Sequence, residues 1–198
     1  MKLTTLLVIA GLATGASAQV FYGPGAGGSV PDNGGPGNPF TSSINIGPTG
    51  LTITDVNVNL FNFSHTWVGD LVIRLSNGST TVTLVDRPGV PEVSTVGFSW
   101  NLLGNYDFDD EAANGTWQSV GVQLSSFNLP GGAYQSENAL SAFDGQNLGG
   151  TWTLSISDNA GADLGNLGSW GLTITAIPAP GALALLGLGG LAAARRRR

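Results

Sequence analysis

The stretch Leu51-Thr52-Ile53-Thr54-Asp55-Val56-Asn57-Val58-Asn59-Leu60 alternates apolar and polar side chains in two runs that meet out of phase. Leu51 and Ile53 set the first alternation, Val56, Val58 and Leu60 the second, and the slip at Thr54-Asp55 predicts a β-bulge. Period two marks a strand with one buried face, because successive Cβ atoms point to opposite sides of a sheet. The signal recurs at Leu71, Ile73 and Leu75, then at Val82 and Leu84 beyond an Asn77-Gly78 turn. It returns around Val120 and Val122, at Trp152, Leu154 and Ile156, and at Trp170, Leu172 and Ile174. Many short strands with a turn signal every ten residues or so, and no sustained 3.6-residue period between them, predict an all-β antiparallel sandwich.

Both flanks read as addresses. Lys2, the apolar stretch Leu6 to Leu12 and the small residues Ala16-Ser17-Ala18 have the form of a secretory signal peptide cleaved before Gln19. At the other end, Pro178-Ala179-Pro180 precedes an apolar run from Ala182 to Ala194 that stops at Arg195, Arg196, Arg197 and Arg198. A helix over that run would reach about 20 Å, short of the roughly 30 Å hydrocarbon core, and the arginine block resists crossing it. This order resembles the PEP-CTERM sorting signal of Gram-negative bacteria, with Ala179 in place of the family's central Glu. The resemblance implies a transient encounter with an exosortase-like membrane enzyme, cleavage near Pro178 and Pro180, and release of the body to the cell surface or extracellular matrix. A plain C-terminal membrane anchor is the alternative.

Without those flanks, Arg74 and Arg87 are the remaining basic residues against thirteen acids, a formal charge of −11. Such a surface repels phosphate backbones, which excludes nucleic acid as a partner class, and attracts divalent cations. The absence of cysteine in an exported chain excludes disulfide staples and thiolate ligands. The chain is thus divided into a signal peptide (1–18), a flexible Gly/Pro-rich leader (19–45), a sandwich (46–176) and a sorting tail (177–198). The leader is assigned on composition, since Gly23 to Pro39 offers almost no side chains to pack.

Several strings in the body carry a family resemblance. Asn62-Phe63-Ser64-His65-Thr66-Trp67-Val68-Gly69-Asp70-Leu71-Val72-Ile73 is followed by a hairpin and Val82-Thr83-Leu84-Val85-Asp86-Arg87-Pro88-Gly89. Downstream come Phe108-Asp109-Asp110-Glu111-Ala112, Leu140-Ser141-Ala142-Phe143-Asp144-Gly145, Gly150-Thr151-Trp152-Thr153-Leu154-Ser155-Ile156-Ser157-Asp158-Asn159 and Leu167-Gly168-Ser169-Trp170-Gly171-Leu172-Thr173-Ile174. In that order, from about Leu51 to Thr175, they resemble the proprotein convertase P-domain, or P/homo B domain. The resemblance implies a jelly-roll β-sandwich that, in convertases, stands beside a subtilisin-like protease and stabilises it. No protease half accompanies it here.

The residues argue against catalysis by the chain itself. A Ser-His-Asp hydrolase needs a histidine as general base, and His65 is the only one. Ser64 adjoins it on a strand and so points to the opposite face; closing the turn before Gly69-Asp70 is the expected role of His65. Asp107, Asp109, Asp110 and Glu111 repel one another unless a cation neutralises them, and Asp144 would add a fifth carboxylate. Calcium, which takes 6 to 8 oxygens in irregular geometry, is the expected structural ion, and the P-domain resemblance implies the same; a solvated acidic loop is the alternative. Trp152 and Trp170 are in phase with core positions, while Trp67 and Trp117 lie near turns. The expectation is a non-catalytic, exported surface or matrix module. Its rivals are a carbohydrate-binding module, with surface polysaccharide as ligand, and an accessory subunit for a separately encoded subtilisin-like protease.

Overall fold

The computed structural model describes residues 17–124 and 126–179. The signal peptide and the sorting-tail residues Pro180 and Arg195 to Arg198 lie outside them, apart from the segments Ser17-Ala18 and 177–179. Ten strands form two sheets: β1 (Ala18–Val30), β2 (Phe40–Ile46), β3 (Leu51–His65), β4 (Leu71–Ser76), β5 (Thr81–Asp86), β6 (Asn101–Phe108), β7 (Asn128–Leu129), β8 (Gly132–Tyr134), β9 (Gly150–Asp158) and β10 (Gly165–Pro178). One sheet has the order β1-β10-β3-β6-β7, with β8 also on β6; the other has the order β2-β9-β4-β5. All pairings are antiparallel except the two short ones of β7 and β8 with β6. The fold is the expected all-β sandwich.

The alternation seen in the sequence is the inward face. Ile53, Val56, Val58 and Leu60 are buried on β3, as are Leu71, Ile73 and Leu75 on β4 and Val82 and Leu84 on β5. Each such side chain contributes roughly 1.5–3 kcal/mol by leaving water. Between β10 and β3 the register slips by one residue, since Thr175 faces Asp55 but Ala176 faces Ile53. Thr54 is the extra residue, which is the bulge predicted there. Trp152 and Trp170 are wholly buried, and the Trp170 indole N–H donates to Ser42 Oγ at 2.8 Å, joining the two sheets. The Asn77-Gly78 turn closes the β4–β5 hairpin, with Gly78 at φ +90° and the Asn77 N–H bonded to the Thr80 carbonyl.

Two expectations are corrected. The segment assigned as a flexible leader is structure: most of it is β1 and β2, the sandwich starts at Ala18 instead of 46, and β1 pairs with β10 along nearly its whole length. Its glycines are there for close approach. A Cβ on Gly25 would overlap the Trp170 indole, and one on Gly27 would overlap the carbonyl oxygens of Gly168 and Leu167. Composition alone cannot separate a strand that lacks side chains because a neighbour fills their space from a linker that lacks them for freedom.

The second correction concerns Val120 and Val122, which belong to no strand. Trp117–Gly121 is a short helix, α1, with Thr116 as its cap: the Thr116 side chain accepts from the Ser119 N–H at 3.3 Å. Trp117 docks edge-on against Tyr106 and Tyr134, and Gly121 lies beneath Trp100 and Phe98. Five residues are too few to display a helical period, so the signal was invisible.

Candidate functional site

The strands run between two chemically distinct ends. Ala18 on β1 pairs with Ala176 on β10, and Pro178 with Leu51, so both termini of the folded unit leave at one end. At the opposite end Gly165 pairs with both Val30 and His65. Each end holds carboxylates.

The five residues expected to ligate calcium lie from the middle of the β3–β6 pair toward the terminal end. Asp107, on β6 opposite Asn59, accepts the Asn59 side-chain N–H at 2.9 Å. Asp109 Oδ1 accepts the backbone N–H of Glu111 at 2.8 Å and closes its own turn. Asp110 uses both oxygens on the chain, accepting the N–H groups of Leu140 and Ser141 at 2.8 Å each. Those amides open a 3-10 turn, Leu140–Phe143, whose first N–H groups would otherwise go unpaired. Asp144 follows that turn and is exposed.

The group is electrostatically crowded. Burial, then the charges of Asp55 and Asp110, raises the Asp144 carboxyl above its ordinary value. Asp55 is raised by burial and by Asp109 and Asp110, and Glu111 by its hydrogen bond with Asp109. Asp55 is a member that sequence reasoning missed; its only signal is its place at the bulge. Among the described residues, no three His, Asp or Glu side chains converge to hold a metal ion. As they stand, with Asp110 committed to backbone amides, these residues do not fit a calcium site that needs 6 to 8 oxygens.

At the far end, His65 and Asp158 are fully buried together. His65 Nδ1 accepts the Trp67 backbone N–H at 3.1 Å, which leaves the ring proton on Nε2, facing Asp158 Oδ2 at 3.2 Å. Asp158 Oδ1 takes the Ala160 N–H at 3.1 Å. Both ring nitrogens are thus occupied, and the Ser64 hydroxyl donates to the Asn166 carbonyl rather than to His65. The pair locks the Thr66–Asp70 corner to the Asp158–Gly165 connection.

Beside this lock a pocket of about 220 Å³ opens between Trp67, Asp70, Val96 and the Ala160–Asp163 segment. The Trp67 indole is half-buried and is fixed by its N–H donating to the Val96 carbonyl at 2.7 Å. Asp70 is 2% exposed. Burial, together with the charges of Asp158, Asp163 and Asp32, raises its carboxyl from 3.8 to about 6, and Arg87 only partly opposes them. Arg87 Nη2 stands 3.7 Å from Asp70 Oδ1, while Arg87 Nε donates to the Gly69 carbonyl at 3.1 Å. Sequence reasoning named Asp70 only as a neighbour of His65, because the acids that surround it come from residues about 40 and 90 positions away in the chain. Trp100, Trp117, Trp152 and Trp170 are buried, so none offers a face for sugar stacking.

The family model of the proprotein convertase P-domain matches residues 121–174, from the end of α1 through most of β10. No curated protein matches the chain. Among solved structures, the chain is similar to one in a complex of the Aeromonas sobria serine protease with the chaperone ORF2, at 17% identity and a TM-score of 0.46. A structure of the Aeromonas sobria serine protease is similar at 16% identity and a TM-score of 0.43. The alignments cover 82% and 81% of this chain but 27% of each of the others, so this chain spans about a quarter of their length.

Proposed function

We propose that the protein is an exported, non-catalytic β-sandwich module of P-domain type that acts by presenting binding surface outside the cytoplasm. The observation that carries this reading is how the folded unit fills the space between two targeting-type segments. β1 begins at Ala18, within the Ala16-Ser17-Ala18 site, and β10 ends at Pro178, the first residue of the Pro178-Ala179-Pro180 motif. The described residues between them form one two-sheet sandwich. Its single histidine is spent on a turn and a buried aspartate, which argues for surface instead of chemistry.

In this reading the apolar tail ending in Arg195 to Arg198 holds the folded passenger at the inner membrane until an exosortase-like enzyme cuts near Pro178 and Pro180. Since Gln19 pairs with Thr175 and β10 runs on to Pro178 at the same end, the held sandwich keeps its terminal end toward the membrane and its Trp67 end outward. Intact-mass measurement of surface-extracted protein tests it. Loss of residues up to about Ala18 and of the arginine-ended tail is expected; full-length chain in the membrane fraction with Arg198 retained would overturn the sorting step. The P-domain match also favours a second reading, an accessory subunit for a separately encoded subtilisin-like protease. Co-purification of such a protease with the tagged chain from its native host distinguishes that role from a matrix role.

A further inference from the structure

The pocket at the Trp67 end has the makings of a cation site that Arg87 only partly fills. Asp70 lines it with about 3% of its side chain exposed, and no hydrogen-bond donor of any described residue reaches its carboxylate. The nearest positive group, Arg87 Nη2, stops at 3.7 Å, beyond hydrogen-bond distance. Asp163, which also lines the pocket, gives one oxygen to the Thr66 hydroxyl at 2.7 Å and keeps the other free of described donors. Asp32, bonded to the Ala162 N–H at 3.1 Å, and Asp158 add two more carboxylates around the same corner. Asp158, Asp163 and Asp32 thus gather around Asp70, with Arg87 the guanidinium beside it, while Arg74, the other arginine described, lies on β4 pairing with Thr83 and Ser155. The remaining wall is an aromatic one, the half-buried indole of Trp67, clamped by its own N–H bond.

We infer that this pocket binds an arginine side chain of a partner polypeptide, with the guanidinium stacked on Trp67 and hydrogen-bonded to Asp70 and Asp163. A planar cation that stacks on an aromatic face while forking to carboxylates is what guanidinium supplies and ammonium does not. A polypeptide source follows from the rim. Val96, an apolar residue at 51% exposure, lines the pocket beside the Trp67 indole and offers contact to the residues that flank an inserted side chain. The described chain leaves the sandwich at Ala179, at the other end, about 45 Å away along the 15 residues of β3.

The test uses the full chain, 15N-labelled, titrated with acetyl-Val-Arg-Val-amide and with the same peptide carrying citrulline, which keeps the shape and loses the charge. The arginine peptide is expected to shift the Trp67 indole N–H and the Gly161 amide saturably, at least tenfold more tightly than the citrulline peptide. Asp163→Asn, at a half-buried position, should weaken binding three- to tenfold, as should Asp70→Asn. Equal responses to the two peptides, or no Trp67 response up to about 10 mM arginine peptide, would overturn the assignment. A response centred elsewhere on the sandwich and untouched by Asp163→Asn would do the same.

Discussion

Asp70→Asn is the substitution that most directly weighs the electrostatics of the Trp67 end. In the folded protein the Asp70 carboxyl is raised from 3.8 to about 6, so between those values the native state holds a proton that the unfolded chain has released. Where the native state binds more protons, stability falls as pH rises. The native state is therefore relieved of the penalty below about pH 4 and carries it in full above about pH 6. One pKa unit corresponds to about 1.4 kcal/mol, so the unscreened penalty approaches 3 kcal/mol. Water in the adjoining pocket screens part of it, leaving on the order of 1–2 kcal/mol.

An asparagine is neutral throughout and keeps the volume, so Asp70→Asn should unfold at a higher temperature than wild type at pH 7, by about 3–6 °C for a domain of this size. The advantage should vanish near pH 4. The assay is thermal unfolding followed by circular dichroism at half-unit steps from pH 4 to 7.5. Asp55, Glu111, Glu137 and Asp144 are also raised and tilt both curves the same way, so the difference between the curves isolates Asp70. Parallel profiles for the two proteins would refute the account of Asp70 as a buried, repelled carboxylate.

Gly27→Ala should detach or strain β1 by forcing a Cβ into the carbonyls of Gly168 and Leu167, costing about 2–3 kcal/mol; rapid proteolytic nicking between residues 18 and 30 would report it, and wild-type resistance would contradict the placement of β1. Ser42→Ala leaves the Trp170 indole N–H buried without its acceptor and should cost about 1–3 kcal/mol in urea unfolding, whereas no change would mean the inter-sheet bond is dispensable. His65→Ala strands Asp158 in the core and should destabilise by about 3–5 kcal/mol, measured as a lowered urea midpoint. Calcium in place of chelator should leave the wild-type melting midpoint nearly unchanged, because Asp109 and Asp110 are engaged within the chain; a rise of about 5 °C that Asp109→Asn with Asp110→Asn abolishes would restore the calcium site.

Period-two alternation from Leu51 onward determined the class of fold, and even the bulge at Thr54, because inward and outward faces are written locally, one residue after the next. The turn at Asn77-Gly78 and the core places of Trp152 and Trp170 were legible for the same reason. The Gly-rich run before Pro39 was not, since what its glycines accommodate, the Trp170 indole and the backbone at Leu167 and Gly168, lies some 140 residues away in the chain. The acidic run at Asp107 to Glu111 looked like a ligand set because proximity in sequence resembles proximity in space. The tertiary structure instead turned Asp110 toward the amides of Leu140 and Ser141 and brought in Asp55. The pocket of Trp67, Asp70 and Asp163 has no local signature at all, because charge repulsion acts through space and its members come from separate connections that meet only where β3, β4, β9 and β10 end together.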